Sequence, residues 1–183
     1  LNLGDSLFSE IGLMAGVYST DWSWSPLFCD LDNDGLKDIF ITSGIYRRAN
    51  DLDYIRFLTG GNRNFPVKDN SQLPDKALYE KMPLHKNTNY FLKNNGDLTF
   101  TDQTANWSSA PPSYSNGSSY ADLDNDGDYD LVVNNINDNA FIYRNNADKS
   151  GNHYLSVRLR GTGFNTQAIG SHVTVYSGTR CQV

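Results

Sequence analysis

The sequence predicts a mostly β chain: part of a β-propeller, a small helical insert within it, and the beginning of a second β unit. Two repeated spacings and one composition pattern predict this class. Gly4-Asp5-Ser6-Leu7-Phe8-Ser9-Glu10 matches Gly96-Asp97-Leu98-Thr99-Phe100-Thr101-Asp102, and DLDNDGLKD (Asp30 to Asp38) matches DLDNDGDYD (Asp122 to Asp130), both at an offset of 92 residues. Tyr90 to Asp97 resembles Phe141 to Asp148 at an offset of 51. One unit of 51 residues lies close to the ~40–50 of a propeller blade. Frequent Gly, Asn, Ser, Tyr, Phe and Val suit short strands and many turns rather than helices.

The elements follow in chain order. Ile39 to Thr42 and Leu131 to Val133 are short apolar runs of β formers, as buried strands require. Asn89 to Leu92 and Ala140 to Tyr143 read as further strands, and Leu98 to Thr101 as a return strand after a Gly-Asp turn. The difference between the two offsets places an insert at residues 45–88, absent from the second copy. Within it, Asn50 or Asp51 caps a short helix through Leu58, and Pro74 opens another that runs to about Met82 and ends at Pro83. Gly60-Gly61-Asn62 and Pro66 mark loop between them. From about Gly151 the repeat stops. His153 to Arg160 alternates with a two-residue period, and Val173, Val175 and Tyr176 form another strand. The division is therefore repeats over 1–149, with blades at 4–95 and 96–146, and a second unit over 150–183.

The formal net charge is −6, and its placement matters more than its size. The segments 30–38 and 122–130 together carry −8, so the rest of the chain is slightly basic. No basic stripe exists for nucleic acid. No run of about 18 apolar residues exists to span a membrane. Two cysteines do not make a disulfide framework; Cys29, after Leu27 and Phe28, is expected to be a buried thiol. The histidines are scattered (His85, His153, His172), and no nucleophile, zinc or phosphate-loop motif accompanies them. An enzyme is not expected, although abundant Asp keeps a carboxylate pair for glycan processing in view.

The acidic segments point to metal. Four carboxylates within nine residues repel one another unless a cation neutralises them. The spacing D-x-D-x-D-G-x-x-D offers side-chain oxygens from Asp30, Asp32, Asp34 and Asp38, and from Asp122, Asp124, Asp126 and Asp130. Leu36 and Asp128 offer the backbone carbonyl at position 7, with the Asp128 carboxylate expected in solvent. Glycine at position 6 permits the sharp turn. An all-oxygen, flexible and highly charged site favours Ca²⁺ over Mg²⁺, so two calcium ions are expected. An EF-hand is excluded: position 12 is Ile41 or Val133, where that loop needs a bidentate Glu and flanking helices.

DLDNDGLKD and DLDNDGDYD, each followed by an apolar strand, resemble the calcium loops of FG-GAP (VCBS) repeats such as those of integrin α-chain propellers. The GD-x-x-F-[S/T]-[D/E] element fits the same repeats. The tail is similar to the start of an ASPIC/UnbV domain: Asn152 to Leu159, Gly161, Asn165, Ala168-Ile169-Gly170-Ser171 and Gln182. That domain follows such repeats in cartilage acidic protein and in bacterial surface proteins. Arg47 to Tyr54 and Leu78 to Pro83 resemble an insert of Bacteroidetes members. The resemblance implies a calcium-bearing propeller exported from the cytoplasm, to the periplasm, the cell surface or beyond. It also implies further repeats in the full-length chain before Leu1, because two loops do not make a ring.

A binding or adhesion module with a protein or carbohydrate partner is the expected function, and a purely structural spacer is the alternative. The insert is basic and aromatic (Tyr46, Arg47, Arg48, Tyr54, Arg56, Phe57, Arg63), so Arg47, Arg48, Tyr54 and Arg56 are its candidate ligand contacts. Bracing of neighbouring blades explains the same residues equally well. Trp22 and Trp24 are candidates to stack on sugar rings, or to lie in the core. Asn106-Trp107-Ser108 and Asn116-Gly117-Ser118 fit glycosylation sequons, which matter only in a eukaryotic secretory host.

Overall fold

A computed structural model describes residues 1–4, 6–58, 75–178 and 180–182. Asp5 and the expected insert features at Gly60 to Asn62, Arg63, Pro66 and Pro74 lie outside the described residues. The chain opens with a hairpin of β1 (Asn2–Gly4) and β2 (Leu7–Phe8), followed by the short helix α1 (Gly12–Ala15). Next come β3 (Ser23–Cys29) and β4 (Asp38–Ser43), then the insert helices α2 (Leu52–Leu58) and α3 (Asp75–Lys81). Strands β5 (Tyr90–Asn94) and β6 (Phe100–Asp102) complete a four-stranded antiparallel sheet, ordered β3-β4-β5-β6. After helix α4 (Thr104–Trp107), β7 (Ser115–Ala121), β8 (Asp130–Asn135) and β9 (Phe141–Tyr143) form a three-stranded antiparallel sheet. The tail carries the hairpin of β10 (Val175–Ser177) and β11 (Arg180–Gln182). The chain is mostly β, and among the described residues there are four antiparallel sheets of which none closes on itself.

The duplication extends beyond the two motifs. Moving 92 residues carries α1 onto α4, β3 onto β7 and β4 onto β8. Left-handed backbone recurs at the same offset: Gly4 and Gly96, Ser6 and Leu98, Asn33 and Asn125, Gly35 and Gly127 all have positive φ. The sheets are out of phase with the sequence units. The first sheet runs from Ser23 to Asp102, so the hairpin at Gly96 closes it rather than opening the next one.

The main core lies between the two sheets. Cys29, Leu31, Phe40 and Phe91 from the first pack on Leu131 and Val133 from the second, with Trp107, Phe141 and Tyr143 at its margin. Rings of Phe40, Phe91 and Tyr143 meet at centroid distances of 4.8 to 6.1 Å. A second cluster of Ile39, Ile41 and Leu92 covers the other face of the first sheet. The alternation of Ile39 and Ile41 against Phe40 is what a strand buried on both faces requires. Gly44 follows β4, where a Cβ would stand 2.6 Å from the Ser113 carbonyl oxygen, so only glycine allows the two backbones to approach there.

The insert leaves and returns at one place. Ile45 bridges His85, and the Arg48 N–H donates to the Pro83 carbonyl at 3.0 Å. Asp51 Oδ1 accepts from the N–H groups of Asp53 and Tyr54, which makes it the cap expected for α2. The strand expected over His153 to Arg160 does not form: these residues carry no strand pairing. An alternating pattern makes a strand only where a neighbour accepts its backbone hydrogen bonds, and this segment crosses the two acidic loops instead.

Candidate metal centre

Each acidic loop is the connection between the first two strands of its sheet. Asp30 follows β3 and Asp38 opens β4; Asp122 follows β7 and Asp130 opens β8. Within each loop the carboxylates fold the backbone around themselves. The N–H groups of Asp34 and Gly35 donate to the two oxygens of Asp30, at 3.1 and 2.8 Å. Those of Asp126 and Gly127 donate to Asp122 at 3.2 and 3.1 Å. The next turn is held by Leu36 N–H on Asp34 Oδ1 (2.9 Å), and by Asp128 N–H on Asp126 Oδ1 (3.3 Å). Position 6 has φ of +87° at Gly35 and +92° at Gly127, a region where a side chain is strained.

The carboxylate at position 9 clamps the loop to the sheet. Asp38 is fully buried; its Oδ2 accepts from Leu31 N–H and its Oδ1 from Asn94 N–H, both at 2.9 Å. Asp130 accepts from Leu123 N–H at 3.0 Å and from Asn145 N–H at 2.8 Å. Burial pushes the Asp38 carboxyl up to about 6, against these two hydrogen bonds and with help from Asp32 and Asp34. Burial likewise raises the Asp30 carboxyl, and it lifts the Cys29 thiol to about 12 with Asp38 and Asp30 adding to it. Cys29 is free and buried, as its apolar context indicates.

The loops also recruit residues that their nine-residue motif does not contain. The Lys93 ammonium, from β5, donates to the carboxylates of Asp32 and Asp34, the latter at 2.8 Å. The Arg144 guanidinium, just after β9, lies 2.7 Å from Asp124 and 3.7 Å from Asp126. Burial opposes the Lys93 charge, but the hydrogen bonds to Asp32 and Asp34 outweigh it and raise its pKa. Lys93 and Arg144, like Asn94 and Asn145, are related by the 51-residue offset. The alignment of Tyr90 to Asp97 with Phe141 to Asp148 already contained this signal.

The donor sets suit a hard cation. Asp30, Asp32 and Asp38 bring one carboxylate oxygen each to within 4.8 Å of one another, and so do Asp122, Asp124 and Asp126. Asp34 and Asp130 lie outside these two triads, Asp34 on Lys93 and Asp130 in its clamp. Oxygen-only donors of high charge match a calcium-type ion and not a nitrogen- or sulfur-seeking metal. One expectation is corrected: the Asp128 side chain does not face solvent but is 1% exposed. The tail lies against this loop. Tyr154 lies so closely on Gly127 that a Cβ there would overlap its ring. Asn152 reaches the first loop, donating to the Asp32 carbonyl at 2.7 Å. Residues of both loops and His153 to Ser156 line one cleft.

The insert residues expected to contact ligand sit as follows. Arg47 donates to the carbonyls of Glu80 and Met82 and lies between the rings of Tyr46 and Tyr79. Arg48 forms a two-pronged pair with Asp21 at 3.1 Å. Tyr54 is buried, with its hydroxyl donating to the Leu78 carbonyl. Arg56 pairs with Asp53 on the exposed side of α2. Trp22 and Trp24 stack 6.4 Å apart, with Trp24 half exposed.

The model of the FG-GAP-like repeat family matches residues 69–133, a segment that includes β5 to β7, the second acidic loop and the start of β8. No curated protein and no solved structure matches the chain.

Proposed function

We propose that the chain is a calcium-binding propeller segment of an exported surface protein that binds a partner and carries out no reaction. The observation behind it is the equivalence of the two loops. Each wraps its first Asp with two N–H groups and clamps its ninth between two more. A solvated turn has no need to build that frame twice. Asp30, Asp32, Asp34 and Asp38 with the Leu36 carbonyl would hold one ion. Asp122, Asp124, Asp126 and Asp130 with the Asp128 carbonyl would hold the other. The ion would supply charge neutralisation at the connection between two core strands, and so fix where β4 and β8 begin.

The FG-GAP-like segment supports the propeller assignment and an adhesion role. Residues 150–183 are taken as the start of an ASPIC/UnbV-like unit, with protein or carbohydrate as the partner class. The exposed Trp24 beside Trp22 favours a partner with flat apolar faces, such as a sugar ring. The internal engagement of Arg47, Arg48 and Tyr54 favours the bracing role for the insert residues.

Titration calorimetry of the metal-stripped chain with Ca²⁺ tests the metal assignment. Two ions per chain are expected, and replacement of Asp122 and Asp124 by Asn should leave one. Absence of any binding at millimolar Ca²⁺ would contradict the proposal.

A further inference from the structure

Two basic side chains sit on the acidic loops at equivalent places, although neither belongs to the loop sequence. Lys93 arrives from β5, 59 residues after Asp34, and its ammonium bridges the carboxylates at positions 3 and 5. Arg144 arrives from the end of β9 and faces the same two positions of the second loop. An isolated surface ion pair carries little weight. Here the placement repeats in both copies, with a different cation each time, and the neighbouring residue fixes it. Asn94 and Asn145 donate their N–H groups to the position-9 carboxylates, which ties the preceding Lys93 or Arg144 to the mouth of the loop.

Resting on the calcium assignment, we infer that Lys93 and Arg144 are built-in counter-cations that a divalent ion must displace. The oxygens that a metal would take from Asp32 and Asp34, or from Asp124 and Asp126, are those the basic groups now engage. Sharing them with a divalent ion is unfavourable, because the two cations would repel each other at that separation. Metal binding is then an exchange: the ion enters, and the ammonium or guanidinium swings to solvent. Two consequences follow. The metal-free loops keep their shape, since part of their charge is already neutralised. Affinity is lower than the donor set alone would give, and more so in the first loop. There the Lys93 side chain is 29% exposed, whereas that of Arg144 is 65% exposed and more loosely held.

Amine acetylation of the full chain, with and without Ca²⁺, followed by peptide mass spectrometry, reads the exchange without a mutation. Lys93 should label severalfold faster with calcium bound, while Lys86, paired with Asp138 away from the loops, should not change. Lys93→Met should raise first-site affinity by about two- to fivefold, the scale of one partly exposed charge contact, and Arg144→Met should raise the second by less. Unchanged Lys93 labelling in a chain shown to hold two ions would overturn the inference and leave the calcium assignment standing; so would a Lys93→Met variant of unaltered affinity. If the native chain and both variants bind no calcium, the metal assignment itself fails and the exchange fails with it. Should Lys93→Met not fold, the labelling comparison decides alone.

Discussion

Asp38 and Asp130 close their loops through backbone contacts that exist without any ion, which separates their role from that of Asp32 and Asp124. Each oxygen of the fully buried Asp38 holds a backbone N–H. Asp38→Ala would strand both donors. It should cost about 2–4 kcal/mol even in chelator, the range for two buried groups left unpaired. Asp32→Asn keeps an acceptor for the Asp34 N–H (3.2 Å) and removes only charge. It should weaken calcium binding while shifting metal-free stability by less than about 1 kcal/mol. Denaturant melts in chelator, paired with calcium titration, check both; an Asp38→Ala variant as stable as the native chain in chelator would contradict the clamp. The nine-residue motif showed the carboxylates because ligand spacing is local. Lys93 and Asn94 were not legible from the loop, because strand pairing brings them there from more than 50 residues away. The burial of Asp128 was equally hidden, since a nine-residue spacing does not show what packs on the loop.

At the scale of elements, apolar runs announced β4, β8 and β9, while β3 and β7 gave no such signal. Ser115-Asn116-Gly117-Ser118-Ser119-Tyr120-Ala121 reads as loop by composition. It becomes a strand because β8 offers it a ladder from Ser115 opposite Asn135 to Ala121 opposite Asp130, with one bulge between Ser115 and Gly117. The offset of 92 maps it onto β3, which is equally silent in composition, so the repeat alone could not reveal either strand. The insert behaves as an excursion on a closed stem, from Ile45 opposite His85. The residues just beyond that stem are bonded elsewhere in the fold: Asn87 exchanges backbone hydrogen bonds with Ser113, and Asn89 Oδ1 accepts from Ser43 N–H. Replacing residues 46–84 with a Gly-Asn turn should therefore keep the β-type circular dichroism and calcium binding. The cost should stay within about 2 kcal/mol, from lost contacts such as Arg48 with Asp21. A variant that fails to fold would show that the insert is part of the core.

Over the whole molecule, the two sheets share one core and the two loops share one cleft, so an ion bound at either loop would bear on the packing of both. Leu31, inside the first loop, is a member of the inter-sheet core, and its N–H is held by Asp38. Asn145, clamped to Asp130, also donates to the Leu31 carbonyl at 2.7 Å, which links the second clamp to the first loop. Loss of order in a loop would thus reach the core directly rather than fray an edge. An ion that binds only the folded chain adds about 2.7 kcal/mol per site at a hundredfold excess over its Kd. For a chain of this size that corresponds to roughly 5–10 °C in Tm per site. Differential scanning calorimetry of one sample, calcium-loaded, then chelated, then reloaded, tests this most directly. The Tm should fall on chelation and return on reloading. An unchanged Tm in chelator, for a sample first shown to hold two ions, would contradict a structural role for calcium in these sheets.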